Sequence, residues 1–185
     1  MSDKPKASNG IFAPKTSENP RWYVFYVHSR KEKVANDLLN LYGFRTYLPL
    51  ERKLKETKNR KRWVEEPLFK SYIFVKIRRN QLYDVLQTTY ITTYVKFEGE
   101  PATVREEDLL FIKRMLITQT SFEIVSGQME VGKEVTLKTG PFKGFKGNVA
   151  EIRGKNSIVV QLTQLNSNIV ISLKDIEEVE KKMAE

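Results

Sequence analysis

The chain has a single histidine, His28, and no cysteine, which narrows the chemistry its side chains can perform. Without a thiol there is no disulfide, no thiolate nucleophile and no cysteine-ligated zinc. No serine stands in a G-x-S-x-G turn, so covalent catalysis lacks a nucleophile and base pair. Two carboxylate groups remain as metal-binding or acid–base candidates, Glu65 with Glu66, and Glu106 with Glu107 and Asp108. Neighbouring positions of a strand point to opposite faces, which separates Glu65 from Glu66. The second group falls in the first turn of a helix, where negative charge is stabilised by the helix dipole. Gly140, Gly144 and Gly147 are spaced loosely like a phosphate loop, but no Lys-Ser or Lys-Thr pair follows and no helix is expected beyond them. The expectation is a non-enzymatic protein with no catalytic residue, no metal site and no cofactor.

Binding chemistry is better represented. The net charge of +9 divides along the chain as +1 in residues 1–20, +8 in 21–117 and 0 in 118–185. A basic block of that kind attracts polyanions, although a lysine-rich surface also serves solubility. Within it, Arg52 to Arg62 holds seven cations against one carboxylate, Glu56. Such a run is a solvated arm or, beside nucleic acid, a set of phosphate contacts, among which Arg60, Lys61 and Arg62 are the candidates. A second set of candidates is aromatic. Tyr72, Phe74 and Lys76 alternate with Ile73, Val75 and Ile77, and Phe69 and Tyr26 extend the aromatic side. Two readings fit this pattern, a partner surface anchored by exposed rings or a sheet face covered by a further helix.

The elements that would carry these residues follow from periodicity. Trp22 to Val27 is a buried central strand. Ser29 and Glu32 have capping-box spacing, Val34, Leu38 and Leu41 recur at helical spacing, and Gly43 suits a left-handed helix end. Strands are expected near 44–48, 68–77 and 92–97, a hairpin arm or long loop over 51–66, and helices over 80–88 and 105–117, the last opened by Thr103 and Glu106. This order makes an α+β domain, an antiparallel or mixed sheet with packed helices. Residues 1–20 read as a flexible leader, 21–117 as the first domain, 118–130 as a polar linker and 131–185 as a second domain. The last contains strand-like segments at 134–138, 147–152, 157–162, 168–173 and 176–179, the pattern of a small all-β barrel. No apolar run reaches the roughly 20 residues of a membrane span, and the N-terminus lacks a signal-peptide core. A monomeric cytoplasmic protein with no membrane partner is expected.

Taken in order, Arg21-Trp22-Tyr23-Val24, Pro67-Leu68-Phe69 with Tyr72-Ile73-Phe74-Val75, Val131-Gly132, and Gly140-Pro141-Phe142-Lys143-Gly144-Phe145-Lys146-Gly147 resemble the NusG family of transcription factors, over residues 21 to 180. The resemblance implies an NGN-type N-terminal domain followed by an SH3-like KOW barrel. It also implies an elongation and antitermination factor that grips the clamp-helix coiled coil of RNA polymerase and recruits partners through the barrel. By position, Tyr26, Phe69, Tyr72 and Phe74 would form the polymerase-binding patch, and Gln87, Thr88 and Thr89 a polar patch on the opposite side of the cleft. His28, with Arg30 and Lys31, would lie near the displaced non-template DNA strand. The KOW motif would be Gly140, Pro141, Phe142, Gly144, Phe145 and Gly147.

Two departures point to a specialised member. Lys70-Ser71 replaces the usual Pro-Gly or Pro-Asn. Leu165 stands at the barrel's partner-binding position, where general NusG has the phenylalanine that meets a ribosomal protein or Rho. With Arg60 to Phe69, these features look closer to operon-specific, UpxY- or RfaH-like paralogues. In contrast to members whose C-terminal domain turns helical, Ile158 to Val160 and Ile169 to Ile171 favour strands. The competing function is an RNA-binding or ribosome-associated KOW protein acting through Lys143 to Lys146.

Overall fold

A computed structural model describes residues 19–57, 60–127, 129–137, 142–152 and 155–173. The leader through residue 18, Gly140, Pro141 and the strand expected at 176–179 lie outside the described residues. The described chain runs β1 (Arg21–Val27), α1 (Glu32–Leu41), β2 (Arg45–Tyr47), β3 (Leu50–Thr57), β4 (Arg60–Pro67), β5 (Tyr72–Ile77), α2 (Leu82–Leu86), β6 (Ile91–Tyr94), β7 (Lys96–Phe97), β8 (Glu100–Pro101), β9 (Thr103–Val104) and α3 (Glu106–Ile117). It continues through β10 (Glu123–Ser126), β11 (Glu134–Thr136), β12 (Lys146–Ile152), β13 (Lys155–Leu162) and β14 (Ser167–Ser172).

The first sheet is antiparallel, ordered β2-β5-β1-β6, with β9 sharing the β6 edge of β1. The apolar run of β1 explains its central place, since alternate residues feed two cores. Tyr23, Phe25 and Val27 join Ile73, Val75 and Ile77 beneath α1 and α2, which contribute Ala35, Leu39 and Val85. Trp22 and Val24 join Phe74 on the opposite face, together with Leu109, Phe111, Ile112 and Met115 of α3.

The second sheet is also antiparallel, ordered β10-β14-β13-β12-β11. Strand β10 lies inside the stretch expected to be a linker and pairs with β14 from Glu123↔Val170 to Ser126↔Ser167. Only four residues long and half-buried at Ile124 and Val125, it shows too little alternation to stand out in the sequence. Phe142, Ile158, Val160, Leu162, Leu165, Ile169 and Ile171 of this half belong to the same apolar cluster as α3. Phe111 is the joint, its ring 5.1 Å from that of Phe142 and 5.5 Å from that of Phe145. The charged stretch over 51–66 is a two-stranded arm, β3 against β4, with Leu54 opposite Trp63.

Helix α1 differs from its expected form at both faces and at its start. Its buried positions are Glu32, Ala35 and Leu39, while Val34 and Leu41 are exposed and Leu38 only half-buried. The Ser29–Glu32 capping box is absent: Lys31 is the N-cap without a side-chain bond, and Glu32 instead accepts the Ser71 N–H at 2.8 Å. The turn residue ahead of β5 has captured the carboxylate that would have closed the cap. Thr103 likewise does not cap α3, because Arg105 occupies that place and Glu106 is drawn to Lys76 at 2.6 Å. The helix end at Gly43 is as expected, with φ +84 and the Phe44 N–H returning to the Leu39 carbonyl at 3.0 Å.

Candidate functional site

Antiparallel pairing of β1 with β5 places Tyr26 opposite Tyr72, and Val24 opposite Phe74, on one face of the first sheet. The four aromatic candidates separate there into an outer and an inner pair. Tyr26 is 37% exposed and Tyr72 half-buried; their rings lie 4.9 Å apart and the Tyr72 hydroxyl donates to that of Tyr26 at 3.3 Å. Burial, aided by this hydrogen bond, pushes the Tyr72 phenol up to about 12. Phe74 is 0% and Phe69 6% exposed, with rings 6.1 Å apart and edge to face. Of the four rings expected to be bare, Tyr26 alone is exposed; Tyr72 is half-buried and both phenylalanines are buried. The phenylalanines belong to the cluster shared with α3 and the second sheet, which takes up the apolar area that a bare sheet face would leave in water.

The tyrosine pair borders a cavity of about 630 Å³ between the two sheets, whose far wall includes Gln161, Leu165 and Asn166. Leu165 is 7% exposed and closes a short 3-10 turn, so the residue expected to meet a partner is turned into the protein. A lone leucine in a polar stretch gives no sequence signal for this. Phe142 is buried and Phe145 half-buried against α3, and Gly144 has φ +87, a turn conformation that suits glycine. At Gly147 a Cβ would lie 2.5 Å from Ile158 Cγ2, so β12 can cross β13 there only without a side chain.

His28, Arg30 and Lys31 gather with Gln87, Thr88 and Thr89 at one end of the first sheet, apart from the basic candidates of the arm. The His28 N–H donates to the Tyr90 carbonyl at 3.0 Å, and Lys31 Nζ lies 5.2 Å from the Tyr90 ring centroid. This brings the exposed His28, Arg30 and Lys31 beside the turn that carries Gln87, Thr88 and Thr89. Gln87 and Thr89 are exposed; Thr88 is not, being 3% exposed with its N–H bonded to Val85 and its carbonyl to Ile91. Lys33 on α1 reaches Glu65 on the arm at 3.9 Å, so the helix start is tied to the base of the arm. Arg60, Lys61 and Arg62 are exposed near the arm's far end, where Lys61 pairs with Glu56 at 2.9 Å.

Charge is also concentrated where α3 begins. Lys76, then Arg45, hold the Glu106 carboxyl below the usual range. The buried Trp22 indole N–H has no hydrogen bond of good geometry but lies close enough to add to that effect. Among the described residues no group of three or more His, Asp or Glu side chains is arranged to hold a metal ion. No helix among them is long and apolar enough to cross a membrane.

Tyr26 and Tyr72 beside the cavity between the two sheets, the basic start of α1 and the charged arm are the surface features that the candidate residues occupy. Residues 20–131 match the family model NusG, described as "Transcription termination factor nusG"; the chain belongs to the NusG family, whose members are transcription factors. It is 26% identical over 177 residues to the transcription termination/antitermination protein NusG of Lactococcus lactis subsp. lactis (strain IL1403), covering 86% of this chain and 93% of that one. The protein of the same name from Staphylococcus aureus (strain Mu50 / ATCC 700699) is 25% identical over 175 residues, covering 85% and 94%. Among solved structures, one titled "Domain interaction in Thermotoga maritima NusG" aligns with a TM-score of 0.45 at 22% identity, covering 84% of this chain and 95% of that one.

Proposed function

We propose that this chain is an operon-specific transcription elongation and antitermination factor. In this reading it is cytoplasmic and monomeric, grips the clamp-helix coiled coil of RNA polymerase through residues 21–117, and recruits further partners through a KOW-type C-terminal domain. The observation that carries it is the tilted ring pair Tyr26 and Tyr72, at the margin of a sheet face where Tyr26 is exposed, in a chain of the NusG family. Tyrosines of this kind supply flat, amphipathic contact area at low entropic cost. Gln87 and Thr89 serve as a second polymerase contact, and His28, Arg30 and Lys31 as contacts to the displaced non-template strand. Phe69 and Phe74 act mainly as the core beneath the tyrosines. A ribosomal protein or Rho would reach Leu165 only after the second sheet leaves the cluster that buries it.

Binding of the full chain to core RNA polymerase tests the proposal. Tyr26→Ala and Tyr72→Ala should each weaken binding by about 2 kcal/mol while leaving the fold intact. Crosslinks from position 72 should map to the clamp helices. Normal binding by the double variant, or crosslinks confined to other polymerase surfaces, would overturn the patch assignment.

A further inference from the structure

The β3–β4 arm has two faces that differ in chemistry. Register pairs Arg52 with Glu65, Leu54 with Trp63 and Glu56 with Lys61, so these six share one face; Lys53, Lys55 and Arg62 project from the other. Trp63 is 57% exposed and belongs to neither apolar cluster, and Leu54 opposite it is 49% exposed. The Arg52 guanidinium lies 4.8 Å from the Trp63 ring centroid, covering part of the ring. Ion pairs engage Lys53, Lys55 and Lys61, but Arg52 and Arg62 have no carboxylate partner among the described residues. Because the arm is a two-stranded sheet, the outer edge of β4 pairs with no other strand among the described residues.

We propose that this arm is a binding site for single-stranded nucleic acid, in which an unpaired base stacks on the open part of the Trp63 indole and backbone phosphates meet Arg52 and Arg62. This deepens the reading of the chain as a factor working beside an open DNA strand, and rests on it. Charge selects the partner: residues 50–67 carry seven cations against four carboxylates, with the excess gathered between Arg52 and Arg62, which calls for a polyanion. The flat ring selects among polyanions, since every base offers a π-face to an aromatic platform, whereas a closed duplex keeps its bases stacked on one another. Guanidinium on one side and base on the other would sandwich the indole, adding cation–π attraction. A strand crossing the open edge of β4 can set a base on Trp63 and a phosphate at Arg62, because these neighbours project from opposite faces.

The test uses the intact chain at low salt with three probes, a fluorescein-labelled 15-mer of deoxythymidine, a 15-base-pair duplex and a 15-residue polyglutamate. The chain's two tryptophans are Trp63 and the buried Trp22, so quenching on binding reports Trp63. The single strand should quench tryptophan emission. Trp63→Ala should abolish that quenching and weaken single-strand binding about tenfold or more while leaving duplex binding unchanged; Trp63→Phe should recover part of the affinity. Arg62→Ala should lower the salt dependence for both nucleic acids. Single-strand binding without quenching, or undiminished in Trp63→Ala, would overturn the stacking site while sparing the broader reading. Equal quenching by polyglutamate would also overturn it, in favour of an acidic protein partner. No binding of either nucleic acid would overturn both this site and the nucleic-acid contacts of the proposed function.

Discussion

The carboxylate of Glu32, at the start of α1, accepts the backbone N–H of Ser71, 39 residues away in sequence, at 2.8 Å. Ser71 has φ +63, so the bond fixes a left-handed residue at the entry to β5, immediately before Tyr72. One side chain thereby couples the helix to the strand that carries the aromatic pair. Glu32→Ala removes the acceptor and leaves the Ser71 N–H, in a half-buried residue, without this partner. A loss of about 1.5–3 kcal/mol is expected, with Glu32→Gln intermediate. Urea unfolding measures it, and a Glu32→Ala chain as stable as the parent would show that the bond does not hold the strand entry.

Phe111 and Phe142 join the two sheets, one at 1% and the other at 0% exposure, with rings 5.1 Å apart. Truncating either to alanine should cost about 3–5 kcal/mol. A double-mutant cycle should return a coupling of about 0.5–1.5 kcal/mol, the usual worth of an aromatic pair. Strict additivity would mean that the sheets are not packed through this contact in solution.

Gly147→Ala would place a methyl 2.5 Å from Ile158 Cγ2 and 3.3 Å from the Val159 carbonyl. Moving β12 away from β13 to relieve this should cost about 1–3 kcal/mol. Thermal unfolding should show a lower midpoint. An unchanged midpoint would indicate that β12 and β13 have room to spare.

Burial holds the phenols of Tyr47 and Tyr72 at about 12, against an ordinary value near 10. For a group whose folded pKa is raised, the stabilisation is complete below the unfolded pKa and is lost as pH rises through the folded one. Stability should therefore be insensitive to these two tyrosines below pH 9 and fall between about pH 10 and 12. Tyr47→Phe and Tyr72→Phe should each flatten part of that fall. Alkaline unfolding curves that superimpose for parent and variants would refute the assignment.

Much of the first sheet is legible in local pattern. The apolar run Trp22 to Val27 can only be a buried strand, and the alternation from Tyr72 to Ile77 only a strand with two different faces. Gly43 marks the end of α1, and the spacing of the aromatic and glycine motifs carries the family. The charged stretch over 51–66 is recognisable as a hairpin arm or long loop, and pairing of β3 with β4 decides between them. Strand β10 escapes notice because four residues with two half-buried side chains resemble a polar connection.

Composition and periodicity by themselves determined the longer strands and helices, where the positive charge lies, and that the chain carries no thiol and a single histidine. Tertiary structure decided which of two apolar stripes on α1 faces the sheet, that Glu32 serves Ser71 rather than its own helix cap, and that Phe74 is sealed while Tyr26 stays at the surface. The physical reason is range. A strand or helix pattern is set by neighbours within a few residues, whereas the burial of a face depends on what packs against it. Here that is α3 and a second sheet whose residues come from the far end of the chain.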